Sequence, residues 1–365
     1  MGERPKLTTP AARAHHPRRA SALWGACLLV ALVPIPRWLS PLAAPPAAAV
    51  PSRSASSVIR LTVGPAGRFR RIATAVMVAD RNPSAGAYYD IEVAPGTYSN
   101  DFPDVTRPMT IEVAPGHPGA RARLVATLPL PNQKGIILTT ASLTVDGLEF
   151  EGAHIADALG GNGAGIRDQN AGPSAHLIVD HSSFVDNQEG ILQGEDFQER
   201  IEILNSRFTN NGNPAPAFWQ HAIYVNHAAS LLVDHSLVCG QLIGHDIKSR
   251  AEVTTVANSR LYIGAADPAA GCRAGSASYG IDAPNGGQLT IRSDQLIQGP
   301  RTGNSSMVAY GEEGVRYAAD RIVVSHTDFS NTAPAAIGIF DPHRIAVELS
   351  RDRFTGVPTE VSPSG

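Results

Sequence analysis

Four short segments in the second half of this 365-residue chain concentrate residues that could do acid–base chemistry: HAIYVNH (221–227), GHDIKSR (244–250), YGIDAPNGG (279–287) and MVAYGEEG (307–314). Each carries an apolar residue suited to a core, namely Ile223, Ile247, Ile281 and Ala309. If these point inward on β-strands, alternation sends Tyr224, Lys248, Asp282 and Tyr310 outward in one column. Neighbouring outward positions add His221 and His245 on one side and Arg250 and Glu312 on the other. Tyr279 and Asn285 flank Asp282 within its own segment. Two imidazoles, two cations, two carboxylates and several phenols would then share one surface.

Such a surface has the ingredients for work on an acidic sugar. Abstracting the proton beside a uronate carboxylate needs a cation to stabilise the carbanion and a base of suitable pKa. Lys248 flanked by Arg250 is the expected base, its pKa lowered, with His245 and His221 assisting. Tyr224 or Tyr310 would donate a proton to the leaving oxygen or to the opposite ring face, and Asp282 and Glu312 would orient the cations or hold Ca²⁺. Tyr279, Tyr310, Glu312 and Asn285 are the expected substrate contacts, and no dedicated metal ligands stand out. A purely structural reading competes: Lys248–Asp282 and Arg250–Glu312 as cross-rung salt bridges, and Tyr224 with Tyr310 as a stacking ladder.

What could bring these segments side by side is a repeat. An eight-residue pattern recurs as LTVDGLEF, LIVDHSSF, IEILNSRF, LLVDHSLV, TTVANSRL, LTIRSDQL and IVVSHTDF, starting at Leu143, Leu177, Ile201, Leu231, Thr254, Leu289 and Ile322. Its third position is β-branched in every copy (Val145, Val179, Ile203, Val233, Val256, Ile291 and Val324), and its eighth is large and apolar. The copies lie 34, 24, 30, 23, 35 and 33 residues apart, a solenoid period enlarged by insertions. Amphipathic runs long enough for helical repeats are missing from this region, so the rungs are read as β.

Repetition also separates fold from function. The fifth position of the pattern holds Gly147, His181, Asn205, His235, Asn258, Ser293 and His326, and the sixth is mostly Ser, Thr or Asp. Residues recurring at one phase answer the fold, here a polar corner that bonds the turn backbone from rung to rung. His181, His235 and His326 are therefore set aside as corner residues.

Upstream, Val58–Val63 reads as a first strand and Ile72–Ala79 as a short helix that caps the open end of the solenoid. Residues 1–49 combine Arg18-Arg19, an apolar run from Ala20 to Val33 and a Pro/Ala-rich stretch, the pattern of an export signal, so membrane contact is expected only through this segment, cleaved or kept as an anchor. A periplasmic or secreted, monomeric protein is the expectation. The single domain would span residues 50–354, followed by a loose tail at 355–365. Without residues 1–49 the chain carries 24 basic and 32 acidic residues, a net charge of −8. That balance excludes nucleic acid as a partner, since no basic excess exists to replace phosphate counterions. An acidic polysaccharide would likewise need a local basic patch or a bridging cation. Cys239 and Cys272 follow the strands of adjacent rungs and read either as a disulfide or as two buried thiols.

The order TVGPAGRFRRIATAV, IEVAPGTY, MTIEVAPG and then the rung pattern resembles exported bacterial right-handed parallel β-helix proteins of the pectin-lyase-like superfamily, over about residues 58–354. The resemblance implies an all-β, single-stranded parallel β-helix. It leaves the activity open, because that superfamily includes lyases, hydrolases, esterases, epimerases and proteins without a reaction. The Asp180-His181 and Asp234-His235 pairs are similar to the Asp-His segment of pectate lyases but sit at a repeated phase, and the lyase arginine motif is missing. YGID at Tyr279 resembles the start of the mannuronan epimerase motif, yet Ala283-Pro284-Asn285 follows where that motif needs His and Asp. The Asp-Asp dipeptide of polygalacturonases and the Gln and Asp signatures of pectin methylesterases are not found. The expectation is thus a carbohydrate-engaging protein, with lyase or epimerase chemistry on uronates preferred over hydrolysis, and a non-catalytic envelope or carbohydrate-binding protein as the alternative.

Overall fold

In the structure, a computed structural model, residues 57–82, 86–169, 172, 174–194, 198–213 and 219–363 are described. The expected signal segment, residues 1–49, lies outside them. Among the described residues, no helix is long and apolar enough to cross a membrane.

The chain winds as a right-handed parallel β-helix whose rungs visit three parallel sheets in turn. The first sheet runs through eleven strands from Val58–Val63 to Val347–Ser350, the second through ten from Gly96–Ser99 to Arg353–Thr355, and the third through ten from Asp104–Val105 to Thr359–Ser362. Each eight-residue pattern spans two of these strands, such as Leu143–Asp146 and Leu148–Glu151, bent at its fifth position. The segments carrying the candidate chemistry are therefore the third strand of each rung. Thr359–Ser362 pairs with Ile337–Phe340, so the tail read as loose instead closes the third sheet.

The bend has a backbone cause. All seven fifth-position residues adopt positive φ, from 44° at His181 to 72° at Gly147. Asn and Gly tolerate this region, and the short side chain that follows stabilises it. Ser182, Ser206, Ser236 and Ser259 each donate to the carbonyl two residues back, at 2.6–3.0 Å. The same hydroxyls accept the backbone N–H of the preceding rung, as Ser206 Oγ does from Ser182 N at 3.1 Å. Asp294 and Thr327 continue the ladder, with Asp294 accepting from Ser259 N at 2.7 Å. The corner histidine side chains stay at the surface: His181 and His235 are mostly exposed, each 3.0 Å from the carboxylate of the adjacent Asp180 or Asp234, and His326 lies 3.3 Å from Arg351.

The third-position residues are fully buried in every copy, as are Phe150, Phe184, Phe208 and Phe329 at the eighth. Successive phenylalanines stack, with ring centroids 4.9 Å apart for Phe150–Phe184 and 4.6 Å for Phe184–Phe208. That spacing is the strand-to-strand distance imposed by the ladder. Beside them an asparagine ladder lines the next corner, where Asn187 Nδ2 donates to Phe150 O and Asn211 Nδ2 to Phe184 O. The expected cap is the helix Ile72–Arg81, whose buried face is Ile72, Ala75, Val76 and Ala79. Its first N–H groups, on Ile72 and Ala73, donate to the Asp101 carboxylate at 2.6 and 2.9 Å, which satisfies donors that a helix leaves open at its start. Of the two readings of the cysteines, the structure has Cys239 joined to Cys272, with Cα atoms 5.7 Å apart, tying the long 264–278 loop to the second sheet.

Burial pushes the Asp294 carboxyl up to about 7, despite the N–H groups it accepts. A carboxyl raised in the folded state binds its proton more tightly there than in the unfolded chain, so it favours folding at low pH and loses that contribution as pH rises through 7. Denaturant unfolding of Asp294→Asn should therefore show less loss of stability between pH 5 and 8 than the wild type. An unchanged pH slope would contradict the assignment.

Candidate functional site

The third sheet sets the site. In its register Tyr224 pairs with Lys248 and Lys248 with Asp282, so these three form one outward column, while Ile223, Ile247 and Ile281 are stacked in the core. The next rung departs from expectation. Asp282 is opposite Ala309, and Tyr310 is opposite Ala283, one residue out of the anticipated phase. Val308 takes the inward place assigned to Ala309. Tyr310 is consequently buried in the core, its hydroxyl donating to Gly287 O at 2.6 Å, and no ladder with Tyr224 forms.

Lys248 and Asp282 form a buried ion pair, Nζ to Oδ2 3.1 Å, with Asp282 fully enclosed. Lys248 Nζ also lies 3.0 Å from Glu313 Oε1. Glu313 receives Arg250 as well, through Nε and Nη2 at 2.8–3.0 Å. Arg250 thus pairs with Glu313, not with the expected Glu312. The remaining Arg250 nitrogen donates to the Tyr224 hydroxyl and to Asn226 Oδ1, the latter at 3.1 Å, with the guanidinium 5.4 Å from the Tyr224 ring centre.

These contacts fix protonation. Burial alone would depress the Lys248 ammonium, but Asp282 and Glu313 outweigh it and its pKa is raised. The expected lowering of Lys248 does not occur, because the cation lies between two carboxylates. Arg250 is likewise raised: burial opposes its charge, and bonds to Glu313 and Tyr224 restore it. Burial pushes Asp282 up, to about 6, though Lys248 pulls the other way. Glu312, within electrostatic reach of Asp282, is pushed up to about 8 by desolvation of its carboxyl and by that like charge.

Beside this column stands a stack of three rings. His221 and His245 have centroids 4.8 Å apart, and His245 and Tyr279 4.9 Å. Their nitrogens are ordered by the backbone: His245 N–H donates to His221 Nδ1 at 3.0 Å, and Tyr279 N–H to His245 Nδ1 at 3.3 Å. The second His245 nitrogen lies 3.3 Å from Asp282 Oδ2. Burial, aided by Lys248, lowers His245 to about 3, and burial lowers His221 well below its usual range, so both imidazoles are neutral near pH 7. Gly244 allows this packing, since it adopts φ +80° and a Cβ there would lie 1.9 Å from Gln220 O. The Tyr279 hydroxyl accepts from Asn304 at 2.9 Å, and burial pushes it up to about 12.

Asn285, expected at the surface, is buried, and its Nδ2 reaches Gly314 O at 3.5 Å under the 311–317 turn. The same turn supplies Glu313 and Tyr317, whose hydroxyl donates to Arg250 O. It roofs a column that would otherwise be flat. Ca²⁺ does not fit the Asp282–Glu312 pair, because the Lys248 ammonium already stands against Asp282. Among the described residues, the side chains close enough to share a cation are Asp146, Asp180 and His181, and Asp90, Glu92 and Glu112, all around the first sheet.

No protein-family model matches this chain, and no curated protein does. Among solved structures it is similar to the PL6 family alginate lyase AlyGC and to a mutant of that enzyme. The TM-scores are 0.41 and 0.48 respectively, with 13% identity in both cases. The match covers 84–85% of this chain but 39–40% of those chains, so the chain spans about two-fifths of the neighbours' length. The likeness is one of fold.

Three residues that sequence reading passed over belong near this surface. Glu313 was eclipsed by Glu312, because alternation fails in the turn that follows Tyr310. Asp246, next to His245, is fully buried with no hydrogen-bond partner for either carboxylate oxygen among the described residues, and burial pushes its carboxyl well up. Arg167 occupies the same outward column as Tyr224, nearer the capping helix.

Removing Lys248 would leave Asp282 buried and unpaired. Lys248→Ala should cost about 3–5 kcal/mol of stability, and adding Asp282→Asn should recover much of it. Equal stability of Lys248→Ala and wild type in denaturant unfolding would show that the pair contributes nothing.

Proposed function

We propose that this protein binds uronate-containing polysaccharide along the outer face of the third sheet and cleaves it by β-elimination. The observation that carries this reading is the Glu313 carboxylate bridging Lys248 Nζ and the Arg250 guanidinium. The two cations already hold a planar carboxylate between them, and a uronate carboxylate offers the same charge and shape. Glu313 is more than one-third exposed and sits on a turn, so a sugar can take its place without dismantling a strand.

In that position the carboxylate is neutralised, which acidifies the adjacent C5 proton. Lys248 acts as an electrostatic stabiliser and not as the base. Tyr224 is the proton-transfer residue, because its oxygen is met by an Arg250 N–H that would hold negative charge there. The tyrosinate takes the C5 proton, the C4–C5 double bond forms as the C4–O4 bond breaks, and the phenol returns its proton to the leaving oxygen. No oxidant or water is consumed. Elimination is favoured over epimerisation, since one phenol on one face suffices for it. Asp282 and His245 are positioning residues that hold Lys248.

The competing reading, a docking surface without turnover, is favoured by the pairing of both cations with Glu313 in the free protein. Export to an oxidising compartment is part of the proposal and is in keeping with the Cys239–Cys272 bond.

Incubation with polygalacturonate, polymannuronate and polyguluronate, with and without Ca²⁺, distinguishes these readings. The lyase reading predicts unsaturated uronate ends, formed at least about 10²-fold more slowly by Tyr224→Phe. Binding without unsaturated products supports the docking surface, and neither binding nor turnover on any polymer contradicts both.

A further inference from the structure

We propose that Arg167 forms a second carboxylate subsite, three rungs from Lys248, that engages the same polyuronate chain. Arg167 lies in the strand Ala164–Asp168, and the register runs Arg167, Leu192, Tyr224, Lys248 along one outward column. Three steps at ~4.8 Å separate the two cations by ~14 Å.

Arg167 differs from the paired arginines of the other strands, and from Arg200 and Arg292, which are exposed to water. Arg123 bonds Glu149 and Glu151, Arg321 bonds Glu348, and Arg353 bonds Asp328, each at 2.6–2.9 Å at its shortest contact. Arg167 has no hydrogen bond or ion pair among the described residues, and its Nε is buried without a partner. It is only partly exposed, and burial lowers its pKa by more than the nearby charges of Glu189, Asp168 and Tyr224 raise it, the mark of a cation whose lost water is only partly replaced. The acids nearest it compensate only in part, and neither bonds it directly. Glu189 is buried and uses Oε2 to accept from His221 N at 2.8 Å, and burial pushes its carboxyl well up, which weakens its hold on a neighbouring cation. Asp168 is fully buried and occupies the next, inward phase of the strand, opposite Gln193. An arriving anion would restore what Arg167 lacks.

The residues between the two cations suit a sugar. Between Arg167 and Lys248 the column holds Leu192, which is buried, and the half-buried Tyr224 ring, against whose open face a pyranose can pack. A polyuronate lying along the solenoid axis presents one carboxylate per sugar, at a spacing close to one rung. A chain of four or more units therefore reaches both cations, while a dimer reaches only Lys248 and Arg250.

This inference rests on reading Lys248 and Arg250 as the first uronate site, and the test separates the two. Calorimetric titration uses oligogalacturonates and oligomannuronates of two and five units on full-length Tyr224→Phe protein, which blocks turnover. The pentamer should bind about tenfold more tightly than the dimer, the yield of one charge-assisted contact. Adding Arg167→Gln should abolish that advantage and leave dimer affinity unchanged, while Arg167→Lys retains part of it. Since Arg167 has no hydrogen bond or ion pair among the described residues, neither substitution should lower the unfolding midpoint. A pentamer advantage that survives Arg167→Gln overturns the subsite and leaves the first site standing. If neither oligomer binds, the uronate reading fails and the subsite falls with it.

Discussion

A corner residue held at positive φ, followed by a side chain that bonds both its own turn and the rung before, is the constraint on which the whole molecule rests. A parallel sheet has no local hairpin to set its register, so something else must keep successive rungs aligned. Here the Ser206 hydroxyl bonds Leu204 O and receives Ser182 N, and Ser182, Ser236 and Ser259 repeat the arrangement. Once the corner is fixed, the buried Val, Ile and Phe positions fall into columns, and the phenylalanines stack at the spacing of the strands. Insertions of very different length can leave a rung without disturbing its neighbours, because the corner and not the loop carries the register.

The candidate site uses that alignment. Tyr224, Lys248 and Asp282 come from segments 24 and 34 residues apart, and only an in-register ladder brings their side chains together. The arrangement is costly, since it encloses Asp282 completely and leaves its Oδ1 without a hydrogen-bond partner among the described residues. A flat, water-facing β surface has no need of a buried ion pair. The 311–317 turn converts the surface into a walled one by laying Glu313 across Lys248 and Arg250 and bonding Tyr317 to the Arg250 carbonyl. Lys248 becomes a fixed positive charge through this enclosure, which is why the proposed mechanism gives proton transfer to Tyr224.

Much of this was legible in the residues, for reasons that differ by element. The eight-residue pattern disclosed the solenoid because every copy answers the same steric demand, and it separated His181, His235 and His326 from the unrepeated histidines. Alternation placed Tyr224, Lys248 and Asp282 together because those strands are regular. It failed at Tyr310 and Glu312, where the strand starting at Ser306 enters the sheet one residue out of phase and is followed at once by a turn. Arg167 was missed for another reason: its isolation depends on what does not surround it, and no spacing in the sequence records that. Nor could the residue types reveal that Lys248 would have an acid on each side, which reversed the direction of its expected pKa shift.

The most direct test of the central claim is a crystal structure of the protein with a bound uronate oligomer. The account predicts one sugar carboxylate between Lys248 Nζ and the Arg250 guanidinium, with Glu313 turned away and Tyr224 against the sugar ring. An oligomer bound on another face, with Glu313 still bridging Lys248 and Arg250, would contradict it.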